Sequence, residues 1–246
     1  MEKCITVVIL AAGLGKRMKS PKAKVLHEVL GRPMVEYVVA TARKIAGDAV
    51  VVVVGHQAEE VRRVVSRAAE AVFVHQEQQL GTGHAVMCAL PHLRAECEQV
   101  LVLCGDVPLV TESTLNDLIA DHERAQRDAT LLAVEVDHPF GYGRVLLDHR
   151  RQICGIVEEA DATDAQRAIK TINSGIYCLK RGFLAEALPR LTRRNVQGEF
   201  YLTDIIRIGY DTGRSIGVCH GHDPQEILGI NTPDDLARVE AILKER

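Results

Sequence analysis

Long uninterrupted apolar runs constrain the fold of this chain more than any other feature. The purest is AVVVVV at residues 49–54, and similar runs occupy residues 5–10, 72–75, 100–104 and 130–136. A strand with one solvated face alternates polar and apolar residues, whereas a strand covered on both faces is continuously Val, Leu and Ile. We therefore predict strands buried on both faces, which is typical of a parallel sheet beneath helices.

Helical patterns fill the intervals between these runs. Apolar residues recur at helical spacing over residues 35–45, 58–71, 83–90 and 112–125. The alternation of strand and helix predicts an α/β fold with a doubly wound, mostly parallel, Rossmann-like sheet.

Shorter elements follow residue 135. HPFGYGRVLLD and RRQICGIVEE predict two strands joined by a turn, and INSGIYCLKRGFLAEAL predicts a strand that enters a helix. Thr232 and Pro233 predict the N-cap and first residue of a final helix. Because no linker or internal repeat separates these elements from the first half, we predict a mixed C-terminal extension of the same sheet and a single domain over residues 1–246.

Charge and composition exclude several classes of protein. A formal net charge of −3 argues against the broad basic face of a nucleic-acid-binding protein. No apolar run approaches the roughly 18 residues of a membrane span, and the apolar start at residues 7–10 is too short for a signal peptide. Seven scattered cysteines without a Cys-x-x-Cys pair predict reduced thiols. We therefore expect a soluble, cytoplasmic protein with no nucleic-acid or membrane partner.

The segment VVILAAGLGKRMKSPKAKVLH, residues 7–27, joins an apolar run to a glycine turn that carries cations. A Walker A loop would place Ser or Thr where this chain has Arg17, and a dinucleotide fingerprint would need a third glycine where it has methionine. A third interpretation is a phosphate-binding loop, in which Gly13 and Gly15 admit a ligand while Arg17 and Lys24 supply charge. The alternative is a tight turn with solvated cations.

Nine motifs in one order carry a family resemblance: LAAGLGKRM, AKVLH, QLGTGHA, GDVPL, FGYGRV, GIVEEADAT, INSGIY, QGEFYLTDII and GINTPDDLARVE. Over essentially its whole length the chain resembles nucleoside-diphosphate-sugar pyrophosphorylases. In particular it resembles the uridyltransferase domain of the bifunctional GlmU family of N-acetylglucosamine-1-phosphate uridyltransferases. The resemblance implies formation of UDP-N-acetylglucosamine and pyrophosphate from UTP and N-acetylglucosamine 1-phosphate, by in-line attack on the α-phosphate.

The resemblance also implies Mg²⁺ as cofactor. Asp106 follows the apolar run VLVLCG, so we expect it at the carboxyl end of a buried strand, where open α/β sheets bind ligands. It matches the family's first metal position and Asn231 the second, and carboxylate and amide oxygens suit Mg²⁺. Arg17 and Lys24 match the cations on the triphosphate and the transferring phosphate, which implies a catalytic role for both.

Further residues are implied to bind the substrates, together with Lys24, Asp106 and Asn231. They are Leu10, Ala11, Ala12 and Gly13 beneath the nucleotide, Gln76, Gly81 and Thr82 at the uracil, and Gly143, Glu158 and Asn173 at the sugar, with Tyr142, Tyr201 and Thr203 completing the sugar pocket. The attacking phosphate is already anionic, so no general base is expected.

The chain departs from the family pattern in three respects. Lys22-Ala23-Lys24 stands where the family commonly has Leu-Pro-Lys, and Cys104 stands where a tyrosine or another residue precedes Gly-Asp. No hexapeptide repeat occurs, so we expect neither the C-terminal left-handed β-helix nor acetyltransferase activity.

Three alternatives to this function stay open. They are a pyrophosphorylase for another sugar 1-phosphate or nucleotide, a catalytically silent nucleotide-sugar sensor, and a dinucleotide-dependent oxidoreductase, which the missing third glycine disfavours. The sequence does not indicate an oligomeric state.

Overall fold

A mixed sheet forms the centre of the computed structural model, which describes residues 4–245 and, at residue 16, the backbone alone. The strands of the structure are β1 (Ile5–Ala11), β2 (Glu28–Val29), β3 (Arg32–Pro33), β4 (Val50–Val54), β5 (Val72–His75), β6 (Gln99–Cys104), β7 (Ala129–Glu135), β8 (Arg144–Leu147), β9 (Ile153–Val157), β10 (Thr171–Lys180) and β11 (Ile216–His220). Its helices are α1 (Met34–Ala46), α2 (Ala58–Ala68), α3 (Thr82–Ala89), α4 (Glu112–Arg124), α5 (Asp164–Arg167), α6 (Arg181–Ala187), α7 (Asp204–Asp211) and α8 (Pro233–Glu245).

The strand order is β11-β7-β10-β6-β1-β4-β5, with β8 and β9 attached beside β10, while β2 and β3 form a separate hairpin. Strands β5, β4, β1 and β6 run parallel, and so do β11 and β7. Strand β10 is antiparallel to both β6 and β7, which it separates. The predicted α/β sheet, mostly parallel with a mixed extension, is therefore confirmed, and the strands after residue 135 join the same sheet.

Helices cover both faces of this sheet. Apolar residues of α1, α2, α4 and α8 are buried against one face, whereas those of α3, α6 and α7 are buried against the other. Central strands therefore have no solvated face: all five valines of β4 are buried. This two-sided burial explains why the central strands have apolar sequences without alternation.

Strand β5 corrects one prediction. Residues 72–75 form a strand as predicted, but they are not buried on both faces, since Val72 is 46% exposed. The reason is the position of the strand: in the described sheet β5 is an edge strand and pairs with β4 alone. A run of three apolar residues does not distinguish an edge strand from a central one.

Helix ends follow local chemistry. Helix α1 ends at Ala46 and is followed by Gly47, whose φ of 59° lies in the left-handed region. Helix α2 ends at Ala68, three residues before the predicted end, because Ala69 is extended. Thr232 caps α8 as predicted, since its Oγ1 accepts from the Asp235 N–H at 3.2 Å.

Helix α7 and strand β11 were not predicted from the sequence.

Within residues 4–245, no helix is long and apolar enough to cross a membrane. In the same part of the chain, no disulfide joins any of the seven cysteines.

The carboxyl ends of four parallel strands lie in register at one edge of the sheet. Leu10 pairs with Cys104, Ala11 pairs with Val54, and Val54 pairs with His75. The segments that follow β1, β4, β5 and β6 therefore meet at this edge, which is the edge at which open α/β sheets bind ligands.

Candidate active site

A cleft of about 660 Å³ opens at this edge of the sheet. Its lining combines backbone of the opening loop with side chains from distant segments. Of the residues predicted from sequence, those that line the cleft are Leu10, Ala12, Gly13, Gly15, Arg17, Lys24, Gln76, Gly81, Thr82, Asp106 and Asn231. The nucleotide-side predictions therefore come together, with the exception of Ala11, which lies buried in β1 outside the lining.

Four of these side chains form a charge cluster: Arg17, Lys24, Asp106 and Asn231. The Lys24 ammonium donates to Asp106 Oδ2 and, at 2.6 Å, to Asn231 Oδ1. Arg17 Nη2 donates to the same Asn231 oxygen at 2.7 Å. The Lys24 and Asp106 side chains are only 15% and 19% exposed, so their attraction is less screened than that of a surface pair.

Local hydrogen bonds orient Asn231 within the charge cluster. Asn231 lies just before α8, and its backbone N–H and that of Thr232 both donate to Asp235 Oδ2 at 2.9 Å. Its Nδ2 donates to the Gly229 carbonyl at 3.2 Å. These bonds fix the side-chain amide so that Oδ1 faces the two cations.

The two glycines of the opening loop have different surroundings. Gly15 has a φ of 66°, and a Cβ there would lie 2.7 Å from Lys24 Cβ, so glycine is needed for the lysine to pack. A Cβ on Gly13 would meet no protein atom within 4 Å. Since Gly13 lines the cleft, its missing side chain matters to whatever enters the cleft, and not to the packing of the loop.

The charge cluster fits a hard divalent cation. A carboxylate and an amide oxygen are aimed at one cationic point, which the Lys24 ammonium takes in this structure. The described residues contain no cluster of three or more His, Cys, Asp or Glu that could hold a metal. Mg²⁺ does not require one, because it commonly keeps several waters and binds through one or two protein groups.

The predicted uracil-reading residues lie on the loop between β5 and α3 and at the first residue of α3. Gln76 is buried, and its Nε2 donates to the Gly81 carbonyl at 3.1 Å and lies 3.0 Å from His84 Nδ1. Gly81 has a φ of 109°, and a Cβ there would lie 2.6 Å from the Phe200 carbonyl oxygen. Thr82 Oγ1 accepts from the Leu202 N–H at 3.0 Å. The loop is therefore held closely against residues 199–202.

The predicted sugar-binding residues Gly143, Glu158 and Asn173 form a second group, the sugar-side group, which lies outside the cleft lining. Asn173 N–H donates to the Gly143 carbonyl at 2.9 Å. Glu158 Oε2 lies 3.4 Å from the position of a Cβ on Gly143, and its Oε1 accepts from Thr203 at 3.0 Å. The three residues are therefore neighbours.

Cys104 connects the two groups. It lines the cleft, and its Sγ donates to the carbonyl of Gly175, two residues after Asn173, at 3.5 Å. Burial raises the pKa of the Cys104 thiol to about 12, and the Asp106 carboxylate adds to the shift. The thiol is therefore protonated at neutral pH.

Glu158 is held in an unfavourable environment for a carboxylate. Burial raises the pKa of the Glu158 carboxyl, the Thr203 hydrogen bond lowers it, and the carboxylates of Asp204, Asp161 and Glu199 raise it further. A half-buried acid among other acids destabilises the fold unless a ligand or solvent satisfies it, which makes Glu158 a candidate functional residue.

The two tyrosines predicted near the sugar take part in contacts between segments. The Tyr201 hydroxyl donates to Asp161 Oδ2 at 3.1 Å. The Tyr142 hydroxyl is hydrogen-bonded by the backbone of Gly229, which precedes Asn231 by two residues. Tyr142 therefore links the segment before β8 to the charge cluster.

Sequence reasoning missed several residues that line the cleft. They include Gln79, Ala85, Gln197 and Glu199. Gln197 and Glu199 belong to the motif QGEFYLTDII, which was the one signal that could have indicated them. Their place in the lining depends on the contact between residues 199–202 and the loop before α3.

Several known proteins are similar to this chain over most of its length. Residues 7–172 match the family of MobA-like NTP transferase domains. The chain is 43% identical over 239 residues, 97% of its length, to the bifunctional protein GlmU of Trichlorobacter lovleyi, and 45% identical over 244 residues, 99% of its length, to that of Acetivibrio thermocellus. Each alignment covers 52% of the relative. The GlmU of Desulfotalea psychrophila is 40% identical over 245 residues, which are 100% of this chain and 72% of that protein.

The chain thus spans about half the length of most of the curated relatives it matches. Because both the family match and the identity to these relatives extend over most of the residues, the chain belongs to the MobA-like NTP transferase domain family and is a member of the group of proteins related to GlmU.

Proposed function

We propose that this chain is a magnesium-dependent uridylyltransferase that forms UDP-N-acetylglucosamine and pyrophosphate from UTP and N-acetylglucosamine 1-phosphate. The observation that carries the proposal is the charge cluster, in which Arg17, Lys24, Asp106 and Asn231 converge on the cleft from separate parts of the chain. The choice of uracil and of N-acetylglucosamine derives from the resemblance to the GlmU family, and 40% identity to a protein of that name supports it.

In the proposed reaction, a phosphate oxygen of the sugar 1-phosphate forms a bond to the α-phosphorus of UTP. The bond from that phosphorus to the bridging oxygen breaks, and pyrophosphate leaves with the electron pair. Both reactants are anionic, so the protein must offset their repulsion and hold them in line. Arg17 offers a planar fork of donors and Lys24 a compact charge, and both act on phosphate oxygens.

Asp106 and Asn231 would hold Mg²⁺, which when bound would neutralise charge on the phosphates. In the described structure the Lys24 ammonium bonds to both of their oxygens. Lys24 would exchange these oxygens for a phosphate oxygen once they hold a metal. The lysine thus keeps the Asp106 carboxylate paired before substrates bind and supplies its charge to the reaction afterwards.

The remaining residues would orient the substrates. Leu10, Ala11, Ala12 and Gly13 would support the nucleotide, where open space beside Gly13 admits it. Gln76, Gly81 and Thr82 would present backbone and side-chain groups to the uracil. Glu158 and Asn173 would receive and donate hydrogen bonds at the sugar beside Gly143, so that a sugar lacking a partner group leaves buried polar atoms unpaired.

We also propose that residues 1–246 form a single nucleotidyltransferase domain, of which residues 1–3 and 246 lie outside the described part of the chain. The common sheet of the described residues supports this. A cytoplasmic location is part of the proposal, since no disulfide joins the cysteines of residues 4–245.

The decisive test is pyrophosphate release with Mg²⁺ and UTP, compared among N-acetylglucosamine, glucosamine and glucose 1-phosphates. We expect turnover with the N-acetylated sugar, and a loss of about 100- to 1000-fold in Asp106→Ala. Asp117→Ala, an exposed aspartate on α4, serves as the matched control and should leave turnover unchanged.

Each other outcome has a defined meaning. Preference for glucose or glucosamine 1-phosphate would retain the chemistry and overturn the sugar. Protection by UTP against thermal unfolding without pyrophosphate release would favour a nucleotide-sugar sensor. Protection by NAD and not by UTP would favour an oxidoreductase.

A further inference from the structure

The lysine segment, residues 20–24, delivers Lys24 to the charge cluster, and its backbone is fixed by an unusual contact. Ala23, one residue before the lysine, is fully buried, with a φ of −54° and a ψ of 138°. Its backbone N–H donates to Gln57 Oε1 at 2.6 Å. A buried amide requires a partner, and here that partner is a side chain 34 positions away in sequence.

Gln57 lies in the loop between β4 and α2, where the chain is tightly constrained. Its φ of 51° and ψ of 42° place it in the left-handed region, which a residue other than glycine seldom adopts. Strained residues of this kind persist where their surroundings over-determine them, and they cluster at functional sites.

The same loop contacts both neighbouring segments of the site. His56 Nε2 lies 3.0 Å from the Pro21 carbonyl oxygen, a second tie to the lysine segment. A Cβ on Gly55 would lie 2.8 Å from the Ala12 carbonyl oxygen, so this loop also packs directly against the opening loop. Residues 55–57 therefore support the lysine segment and the opening loop together.

We propose that Gln57 is a positioning residue for Lys24: by accepting from the Ala23 amide, it fixes the backbone from which the lysine reaches Asp106 and Asn231. Gln57 lies outside the cleft lining of the described chain, so it acts through Lys24 and does not touch substrate. A lysine ammonium sits on a flexible four-carbon stem, so its placement depends on a fixed backbone. The catalytic consequence rests on the proposed function.

The geometry of Ala23 provides a way to test this role. Its φ lies in the range of proline, which has no N–H and needs no acceptor. In the presence of Gln57, a proline ring would collide with the carboxamide that now lies 2.6 Å from the amide nitrogen. In Gln57→Ala that space is free, and the ring would fix φ in place of the lost hydrogen bond. The substitution Ala23→Pro should therefore lower kcat/KM for pyrophosphate release when Gln57 is present. In the Gln57→Ala variant the same substitution should raise it.

The first experiment is hydrogen–deuterium exchange on the ligand-free protein. Gln57→Ala should increase the exchange rate of the Ala23 amide at least about tenfold, because the amide loses its acceptor. Gln126→Ala is the matched control, since Gln126 is an exposed glutamine with a φ of 52° in the loop before β7, which is separated from β4 by β10, β6 and β1 in the sheet. Equal exchange of the Ala23 amide in both variants would overturn the proposed contact, whatever the protein catalyses.

The second experiment measures pyrophosphate release. Gln57→Ala should lower kcat/KM about tenfold, because a misplaced catalytic charge slows the reaction. Its thermal stability should stay close to that of Gln126→Ala. Gln57→Glu keeps an acceptor and should retain most of the activity, and Ala23→Pro combined with Gln57→Ala should recover it to within about threefold.

The failures are distinguishable. No pyrophosphate release by the unsubstituted protein overturns the proposed function, while amide exchange still decides whether Gln57 holds the lysine segment. An active protein in which Gln57→Ala behaves like Gln126→Ala, or in which Ala23→Pro does not rescue Gln57→Ala, overturns the positioning role.

Discussion

The charge cluster and the sugar-side group meet at Cys104 but differ in their electrostatics: the first pairs opposite charges, and the second places a carboxylate beside other acids. In the charge cluster, two cations face a carboxylate and an amide oxygen, and every charge has a partner before any ligand binds. In the sugar-side group, the Glu158 carboxylate has a hydroxyl partner and three acidic neighbours that raise its pKa. The first arrangement suits anionic ligands that replace existing partners. The second suits a neutral ligand that brings hydrogen-bond donors.

This difference also indicates where folding and function conflict. Pairing Lys24 with Asp106 stabilises both charges in the fold, so the charge cluster is compatible with a stable protein. Burying Glu158 among acids opposes folding, and such a residue is retained where it serves a ligand. The following predictions test this contrast, from the largest expected effect to the smallest.

Lys24→Ala should give the largest effect, a loss of about 100- to 1000-fold in kcat for pyrophosphate release, because a charge on the transferring phosphate is removed. The matched control is Lys22→Ala, whose lysine forms an exposed pair with Glu28 in the same segment. Exposed pairs contribute about 0–1 kcal/mol, so Lys22→Ala should remain active. Similar losses in both variants would mean that the segment contributes general positive charge and not a placed ammonium.

Glu158→Gln should lower kcat/KM for the sugar 1-phosphate by about 10- to 100-fold, since a charged hydrogen-bond acceptor is lost. The same change should raise the melting temperature at neutral pH. A carboxyl with a raised folded-state pKa favours folding while protonated, and that contribution is lost as pH rises through the folded-state pKa. The gain in stability should therefore shrink as pH falls through the raised folded-state pKa, and it should be absent below the ordinary glutamate range.

Glu159→Gln, at the adjacent position, is the control, because we expect it to change the melting temperature in the opposite direction. Burial alone would raise the pKa of the Glu159 carboxyl, but the Arg144 hydrogen bond and the Gly141 amide lower it below its usual range. This carboxylate stabilises the fold above its unfolded-state pKa, and the contribution is lost as pH falls through the folded-state pKa. Glu159→Gln should thus lower the melting temperature at neutral pH. If both substitutions shift it in the same direction, the electrostatic contrast is wrong.

Gly15→Ala should have the smallest effect, a loss of about 1–2 kcal/mol in the free energy of unfolding, because alanine is strained at positive φ. It should also lower activity through displacement of Lys24. Gly13→Ala should leave thermal stability unchanged and raise KM for UTP, since its Cβ meets no protein atom but projects beside the cleft. Chemical denaturation and steady-state kinetics of the pair would separate loop packing from ligand contact.

Much of the fold was predictable because its signals are local. Continuous Val and Leu runs identified the central strands, and helical spacing identified α1 to α4. Strand β5 shows the limit: its sequence resembles that of β4, yet Val72 is exposed because β5 has a neighbour on one side only. Strand order is a property of the whole sheet, and no short run of residues encodes it.

The residues of the site also differ in whether a local sequence signal indicates them. Gly15, Arg17, Lys24 and Asp106 lie near recognisable strand ends, so motif and physical chemistry could point to them together. Asn231 was found by resemblance alone, and its partnership with Lys24, 207 positions away in sequence, exists only in the fold.

By itself the sequence determined the central strands, the helices α1 to α4 and the polar side chains that stand where buried strands end, because propensity and burial pattern are properties of a few neighbouring residues. Only the tertiary structure decided that β5 is an edge, that Glu158 lies among other acids, and that a glutamine at position 57 is the partner of the amide of Ala23. These features depend on distances between segments far apart in the chain, which are set when helices and strands pack into one core.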